Sequence, residues 1–188
     1  MRRLFIAINL PENIKRQIEN LVSQIKIDAD IRWIAPENWH LTITFLGYQP
    51  DEAIKLILES LKETAASFKT PEIKFEKIIF GPPNKSPRMI WLTTAKETSQ
   101  KLSTIKIYLE NALIKNGVRF KKENREYNGH LTLARFPQTQ ITPKINTSHR
   151  YESTLAFYAT NLDLMESRLK KTGSEYEVLA KVDFLKQI

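Results

Sequence analysis

One short pattern constrains this chain more than its composition does, because it occurs twice. His40-Leu41-Thr42-Ile43 and His130-Leu131-Thr132-Leu133 both read histidine, apolar, threonine, apolar. They lie 90 positions apart (130 − 40) and use two of the three histidines in the chain. Side chains alternate across an extended strand. A strand over 40–46 therefore shows His40, Thr42 and Thr44 on one face and Leu41, Ile43 and Phe45 on the other. A strand over 130–136 displays His130 and Thr132 in the same way, backed by Leu131 and Leu133. Each copy predicts an apolar-backed strand that presents an imidazole beside a hydroxyl. Two such strands facing one cleft hold a proton donor and a proton acceptor on opposite sides of a substrate.

The remaining segments read as short strands and amphipathic helices. Residues 3–10 form an apolar strand, and Pro11 opens a helix with Ile14, Ile18, Leu21, Val22 and Ile25 on one stripe. A short strand at 31–35 and a turn at Pro36-Glu37-Asn38 lead into the first motif, which Gly47 and Pro50 end. Asp51 is expected to cap a second helix buried through Ile54, Ile57, Leu58, Leu61 and Ala65. Strands follow at 72–80 and 88–94, on either side of an irregular loop from Gly81 to Pro87. A helix at 97–115 turns Leu102, Ile105, Leu109, Ala112 and Leu113 inward and ends at Asn116-Gly117. After the second motif and a polar loop (137–149) come strands near 153–165 and 175–184. This order predicts an α+β fold with mostly antiparallel sheets. The repeated helix and motif strand suggest two similar lobes.

Composition narrows the class. A chain of 188 residues suits one domain or two closely packed lobes. It has no run of about 18 apolar residues, so a membrane-spanning helix is excluded. The start, Met1 to Leu10, is too short for a secretory signal, is broken by Asn9 and Pro11, and lacks a small-residue cleavage site. With no cysteine there is no disulfide, no thiolate nucleophile and no zinc–sulfur site, which fits the cytoplasm. A net charge of +8 favours a polyanionic partner such as nucleic acid, although a lysine-rich solvated surface would give the same number. The lysines are scattered, and the one tight basic cluster, Arg119 to Arg125, is interrupted by Glu123.

The motifs narrow the chemistry. Neither contains a carboxylate, and the chain has no His-Glu-x-x-His helix, so no metal site is expected. No nucleophile-elbow signature supports a serine triad. Two imidazoles and two hydroxyls suit a substrate that supplies the electrophile and water that supplies the nucleophile. A phosphodiester is the natural candidate. One neutral histidine takes a proton from water, one protonated histidine gives a proton to the leaving oxygen, and the threonines bind the non-bridging oxygens.

The chain resembles the 2H phosphoesterases, and within them the RNA 2′,3′-cyclic phosphodiesterases, historically called 2′–5′ RNA ligases. The likeness runs from Arg3-Leu4-Phe5-Ile6-Ala7-Ile8-Asn9-Leu10-Pro11 through Arg32-Trp33-Ile34-Ala35-Pro36-Glu37-Asn38-Trp39 and the first motif to Leu46-Gly47. It resumes at His130-Leu131-Thr132-Leu133-Ala134-Arg135, at Glu166-Ser167-Arg168-Leu169 and at Tyr176-Glu177-Val178-Leu179, so it covers nearly the whole length. It implies a single bilobal α+β domain over 1–188. Two pseudo-symmetric, mostly antiparallel sheets would carry helices on the outside and enclose a central cleft. It also implies hydrolysis of RNA 2′,3′-cyclic phosphate ends to 2′-phosphates without metal or cofactor, with 2′–5′ ligation as the reverse of related chemistry. His40 would be the proton donor, His130 the proton acceptor, and Thr42 and Thr132 the phosphate holders. RNA ends, tRNA fragments among them, would be the partner of a cytoplasmic monomer.

Other positions carry smaller expectations. The family pattern makes Arg135 a phosphate contact, but its odd offset of five from His130 points it away from the cleft unless a bulge intervenes. Many relatives carry proline where this chain has Gly129, which could loosen the strand entry. Trp33, Trp39, Tyr48 and Tyr127 flank the motifs, and any of them could stack on a base. Thr44 is expected to pack, His149 to be solvated, and Glu166-Ser167-Arg168 to form an ion-paired strand end. Two other readings stay open: an RNA-end binding protein without turnover, and a 2H enzyme for another cyclic phosphate. Binding alone would favour arginine and lysine over two titratable imidazoles.

Overall fold

Each motif strand belongs to its own antiparallel sheet, and the two sheets share one apolar interior. The computed structural model describes residues 1–25, 31–83, 86–136, 155–170 and 173–186. In chain order the elements are β1 (Arg2–Asn9), α1 (Glu12–Ser23), β2 (Arg32–Trp33), β3 (His40–Gln49), α2 (Ala53–Ala65) and β4 (Glu72–Gly81). They continue with β5 (Met89–Thr94), α3 (Lys96–Lys115), β6 (His130–Arg135), β7 (Ala156–Tyr158), β8 (Asn161–Lys170) and β9 (Gly173–Asp183). The first sheet has the order β3-β1-β8-β9 and the second β2-β6-β5-β4-β7. The fold is α+β, as expected.

The alternation read from the motifs is what buries them. Leu41 and Ile43 of β3 and Leu131 and Leu133 of β6 enter one core with Leu4, Ile6 and Ile8 of β1, Ile90 and Leu92 of β5, and the inner faces of all three helices. Each such side chain contributes about 1.5–3 kcal/mol through burial. The other face of β1 is covered too. Phe5 and Ala7 pack with Met165 under Tyr176, which is why β1 reads as an unbroken apolar run.

Several boundaries differ from expectation. Gly47 does not end β3. It sits at φ 71° in a bulge opposite Leu4 and Phe5, and the strand continues to Gln49. Asp51 does not cap α2, because its carboxylate instead accepts from Arg2 Nε at 3.1 Å and the helix begins without a side-chain cap. The segment read as one strand near 153–165 is two in its described part, with β7 in the second sheet and β8 in the first. Glu166 lies inside β8 rather than at its end, although its ion pairs with Arg2 and Arg168 are present. The loop at 137–149, with His149, lies outside the described residues.

Candidate active site

Both motif strands carry the same irregularity. In β3 the partners of Ile6 and Ala7 are Thr44 and Thr42, so Ile43 is skipped. In β6 the partners of Ile90 and Trp91 are Ala134 and Thr132, so Leu133 is skipped. A bulge one residue after each threonine reverses the alternation beyond it. Its consequence is seen in burial: Thr44 and Ala134 turn into the core, while Phe45 and Arg135 turn out. Thr44 therefore does not share the face of His40, and Phe45 does. Arg135 returns to the face of His130 and Thr132 through the bulge that its odd offset required.

The register lays out the open face of the second sheet in rows. Lys77, Thr93 and His130 form one row, Ile79, Trp91 and Thr132 the next, and Gly81, Met89 and Arg135 the third. Arg32 of β2 stands directly against Arg135, which puts two guanidinium groups on this face. Trp91 lies flat across the rows. Its ring stacks on His130 with centroids 3.8 Å apart, and a Cβ on Gly81 would come within 2.3 Å of it.

The two imidazoles are held alike. His40 Nδ1 lies 2.8 Å from the Asn38 carbonyl oxygen, and His130 Nδ1 lies 2.8 Å from that of Asn128. A carbonyl oxygen only accepts, so each Nδ1 carries the hydrogen and each neutral ring keeps an unprotonated Nε2. Aromatic walls remove water from both. Phe5 and Tyr176 stand 4.9 and 4.8 Å from His40, and Trp91 covers His130. Burial accordingly pushes His40 down to about 4, and the charges of His130 and Arg135 push the same way against the bond to Asn38. Burial lowers His130 as well, opposed by its bond to Asn128. The influence of His130 and Arg135 on His40 reaches from one sheet to the other.

Buried bonds fix the two strands. Tyr127 spans the gap between them, its hydroxyl donating to the Thr42 carbonyl at 2.9 Å. Burial keeps that hydroxyl protonated far above the ordinary phenol range. Thr44, turned inward by the bulge, donates to Glu110 at 2.9 Å, and this fully buried carboxylate also pairs with Lys106 and lies 3.7 Å from Lys122. Lys106 and Glu110 occupy α3, where their spacing of four reads as a solvent-exposed pair.

Gly129 tightens the entry to β6 rather than loosening it. Its N–H donates to Ser99 Oγ at 3.1 Å, a bond that proline lacks, and its carbonyl accepts from Thr94 N at 2.9 Å. A Cβ here would lie 2.5 Å from Thr94 Oγ1. Gly129→Ala is expected to lower stability by about 1–3 kcal/mol through overpacking. In thermal unfolding, Gly129→Ala combined with Thr94→Ala should cost less than the sum of the two alone. Strict additivity would mean that the contact is not what excludes a side chain.

Of the four aromatics singled out in the sequence, Trp39 is buried in the core and Tyr127 is partly buried against it. Trp33 and Tyr48 are exposed. The rings that touch the histidines are Phe5, Tyr176 and Trp91, none of them adjacent to a motif in sequence. Among the described residues no three histidine, aspartate or glutamate side chains gather as a metal ion needs.

A profile of the LigT-like phosphoesterases matches residues 8–91. The RNA 2′,3′-cyclic phosphodiesterase of Methanocaldococcus jannaschii is 32% identical over 180 residues, which cover 94% of this chain and 98% of that one. The chain belongs to this phosphoesterase family. Its fold is that of TT0787 from Thermus thermophilus, with a TM-score of 0.75 over 97% of both chains at 23% identity. Escherichia coli LigT, solved in complex with 3′-AMP, superposes with a TM-score of 0.71 at 24% identity over 97% of this chain and 98% of that one.

Proposed function

We propose that this phosphoesterase opens RNA 2′,3′-cyclic phosphate ends to 2′-phosphates by acid–base catalysis between His40 and His130, without a metal. The observation that carries the reading is the matched pair of imidazoles. Both Nδ1 atoms are committed to backbone carbonyls two residues back, which reserves both Nε2 atoms for a substrate. In the reaction His130 removes a proton from water as the oxygen attacks phosphorus, and His40 delivers a proton to the departing 3′ oxygen. Thr42 and Thr132 hold the non-bridging oxygens, and Arg135 adds positive charge to the same face. Neutral His130 is the state that burial favours. Protonated His40 is a minor species before substrate arrives, so the negative charge of the phosphate must raise it. The relative's name and the 3′-AMP bound by LigT both support a nucleotide substrate.

On the same reading the 188 residues act as one bilobal domain, a monomer working on RNA ends in the cytoplasm, tRNA fragments among them. Among the described residues no helix is long and apolar enough to cross a membrane. The chemistry that opens the ring also runs with an alcohol in place of water, which gives a 2′–5′ linkage. Incubation with a nucleoside 2′,3′-cyclic phosphate, followed by phosphorus NMR, tests the central claim. The hydrolysis product should be the 2′-phosphate and not the 3′-phosphate, formed at the same rate with and without EDTA. A 3′-phosphate product, or activity that EDTA abolishes and Mg²⁺ or Mn²⁺ restores, would refute it.

A further inference from the structure

The two imidazoles are held alike at Nδ1, but the rings against them differ. His40 has Phe5 tilted at 38° and Tyr176 edge-on at 78°, with centroids 4.9 and 4.8 Å away. His130 has the indole of Trp91 nearly parallel, at 24° and 3.8 Å. Strand pairing builds that stack. Thr93 faces His130 and Trp91 faces Thr132, so Trp91 and His130 are diagonal neighbours on one face of β5 and β6. Gly81 of β4 sets how the indole lies, because a Cβ there would come within 2.3, 2.5 and 2.6 Å of three of its carbons.

A ring in that position acts on the imidazole in two opposed ways. It excludes water, which disfavours a charge on His130. Its face is also the negative part of a quadrupole and attracts a cation stacked on it. That attraction is strongest over tryptophan and where water is excluded, and it acts within about 6 Å of the ring centre. The other charges around His130 are mixed. Arg125 and Glu123 act on it in opposite directions. Glu76, Lys77, Lys96 and Glu126 line a cavity beside it. Arg135 of its own strand and His40 of the first sheet complete the set. Among the described residues no carboxylate forms an ion pair with His130, so the indole face is what meets a positive charge there.

We propose that the face of Trp91 stabilises the imidazolium that His130 becomes on taking the proton of the attacking water, which makes Trp91 a positioning residue for the base. The inference rests on the assignment of His130 as base. His130 enters the step neutral and leaves it charged, so the attraction to the indole grows as the proton arrives. An interaction stronger in the transition state than before it lowers the barrier. At His40 the need is reversed. That ring enters charged and leaves neutral, and the rings against it are smaller and not parallel.

The test replaces Trp91 alone, by nonsense suppression in the whole chain, with mono-, di- and trifluorinated tryptophan. Each fluorine withdraws electrons from the ring face and leaves its shape and packing nearly unchanged, so the fold is kept. Proton NMR follows the His130 ring, assigned by the loss of its signal in His130→Ala. A weaker attraction lets the proton go at lower pH, so the titration midpoint of His130 should fall with every added fluorine. On cytidine 2′,3′-cyclic phosphate kcat should fall in the same order, by about three- to tenfold over the series, with KM little changed. A midpoint that stays put along the series would overturn the proposal whatever kcat does, and would leave the phosphodiesterase reading standing. A midpoint that falls while kcat stays constant would overturn it as well, because His130 would then not be the base. No turnover of cyclic phosphate by the unsubstituted chain would defeat both.

Discussion

His40→Ala and His130→Ala are each expected to cut kcat by about 10²–10⁴-fold on a 2′,3′-cyclic phosphate. The reason is geometric. Each Nδ1 is bonded to a backbone carbonyl 2.8 Å away, so each ring has one nitrogen left for proton transfer, and no third histidine lies among the described residues. The fold should survive. The bonds lost are local ones, from residue 40 to 38 and from 130 to 128, and the core faces of the strands, Leu41 with Ile43 and Leu131 with Leu133, are untouched. The double substitution should be little worse than the slower single one, because two groups moving protons in one step act as a unit. Steady-state rates with thermal unfolding curves check all three variants. A single variant that turns over at nearly the wild-type rate would end the proposal. Equal losses in rate and in unfolding temperature would show that the imidazoles are structural.

The motifs were legible because strand alternation is a local rule. His40 beside Thr42, and His130 beside Thr132, follow from a period of two, as does the apolar backing that buries both strands. The same rule misplaced Thr44 and Phe45, and it left Arg135 undecided, because a bulge is set by the partner strand and not by the bulged one. Nothing in residues 40–45 announces that Ala7 will face Thr42 while Ile6 faces Thr44. The aromatic walls were hidden for a related reason. Phe5, Tyr176 and Trp91 reach the histidines only through pairings between distant strands, and no spacing along the chain encodes register. Two charged residues on α3 concealed a third feature. Lys106 and Glu110 look like a surface pair at i and i+4, yet both are buried, and Thr44, turned inward by the bulge, donates to Glu110. The passage from β7 to β8 was missed because Ala159-Thr160 carries no strong turn residue.

The pH dependence of kcat/KM should be a bell displaced to the acid side of an ordinary histidine pair. Activity requires one imidazole neutral and the other protonated. In the free protein burial lowers both, His40 to about 4 and His130 below its usual value of 6.5. A lowered imidazole holds its proton only at lower pH. As pH rises past the upper of the two values the singly protonated pair is lost, and kcat/KM should fall about tenfold per unit through neutrality and beyond. As pH falls below about 4 both rings become charged and the base disappears. The bell for kcat reports the complex with substrate, where an anionic phosphate beside both rings favours their charged forms. It should therefore sit at higher pH than the bell for kcat/KM. Proton NMR of the two imidazoles supplies an independent reading. Without ligand His40 should titrate near 4, and inorganic phosphate should move its midpoint upward. A kcat/KM that climbs steadily from pH 6.5 to 9 would mean attack by hydroxide or by a metal-bound water. Catalysis would then no longer depend on a proton shared between His40 and His130.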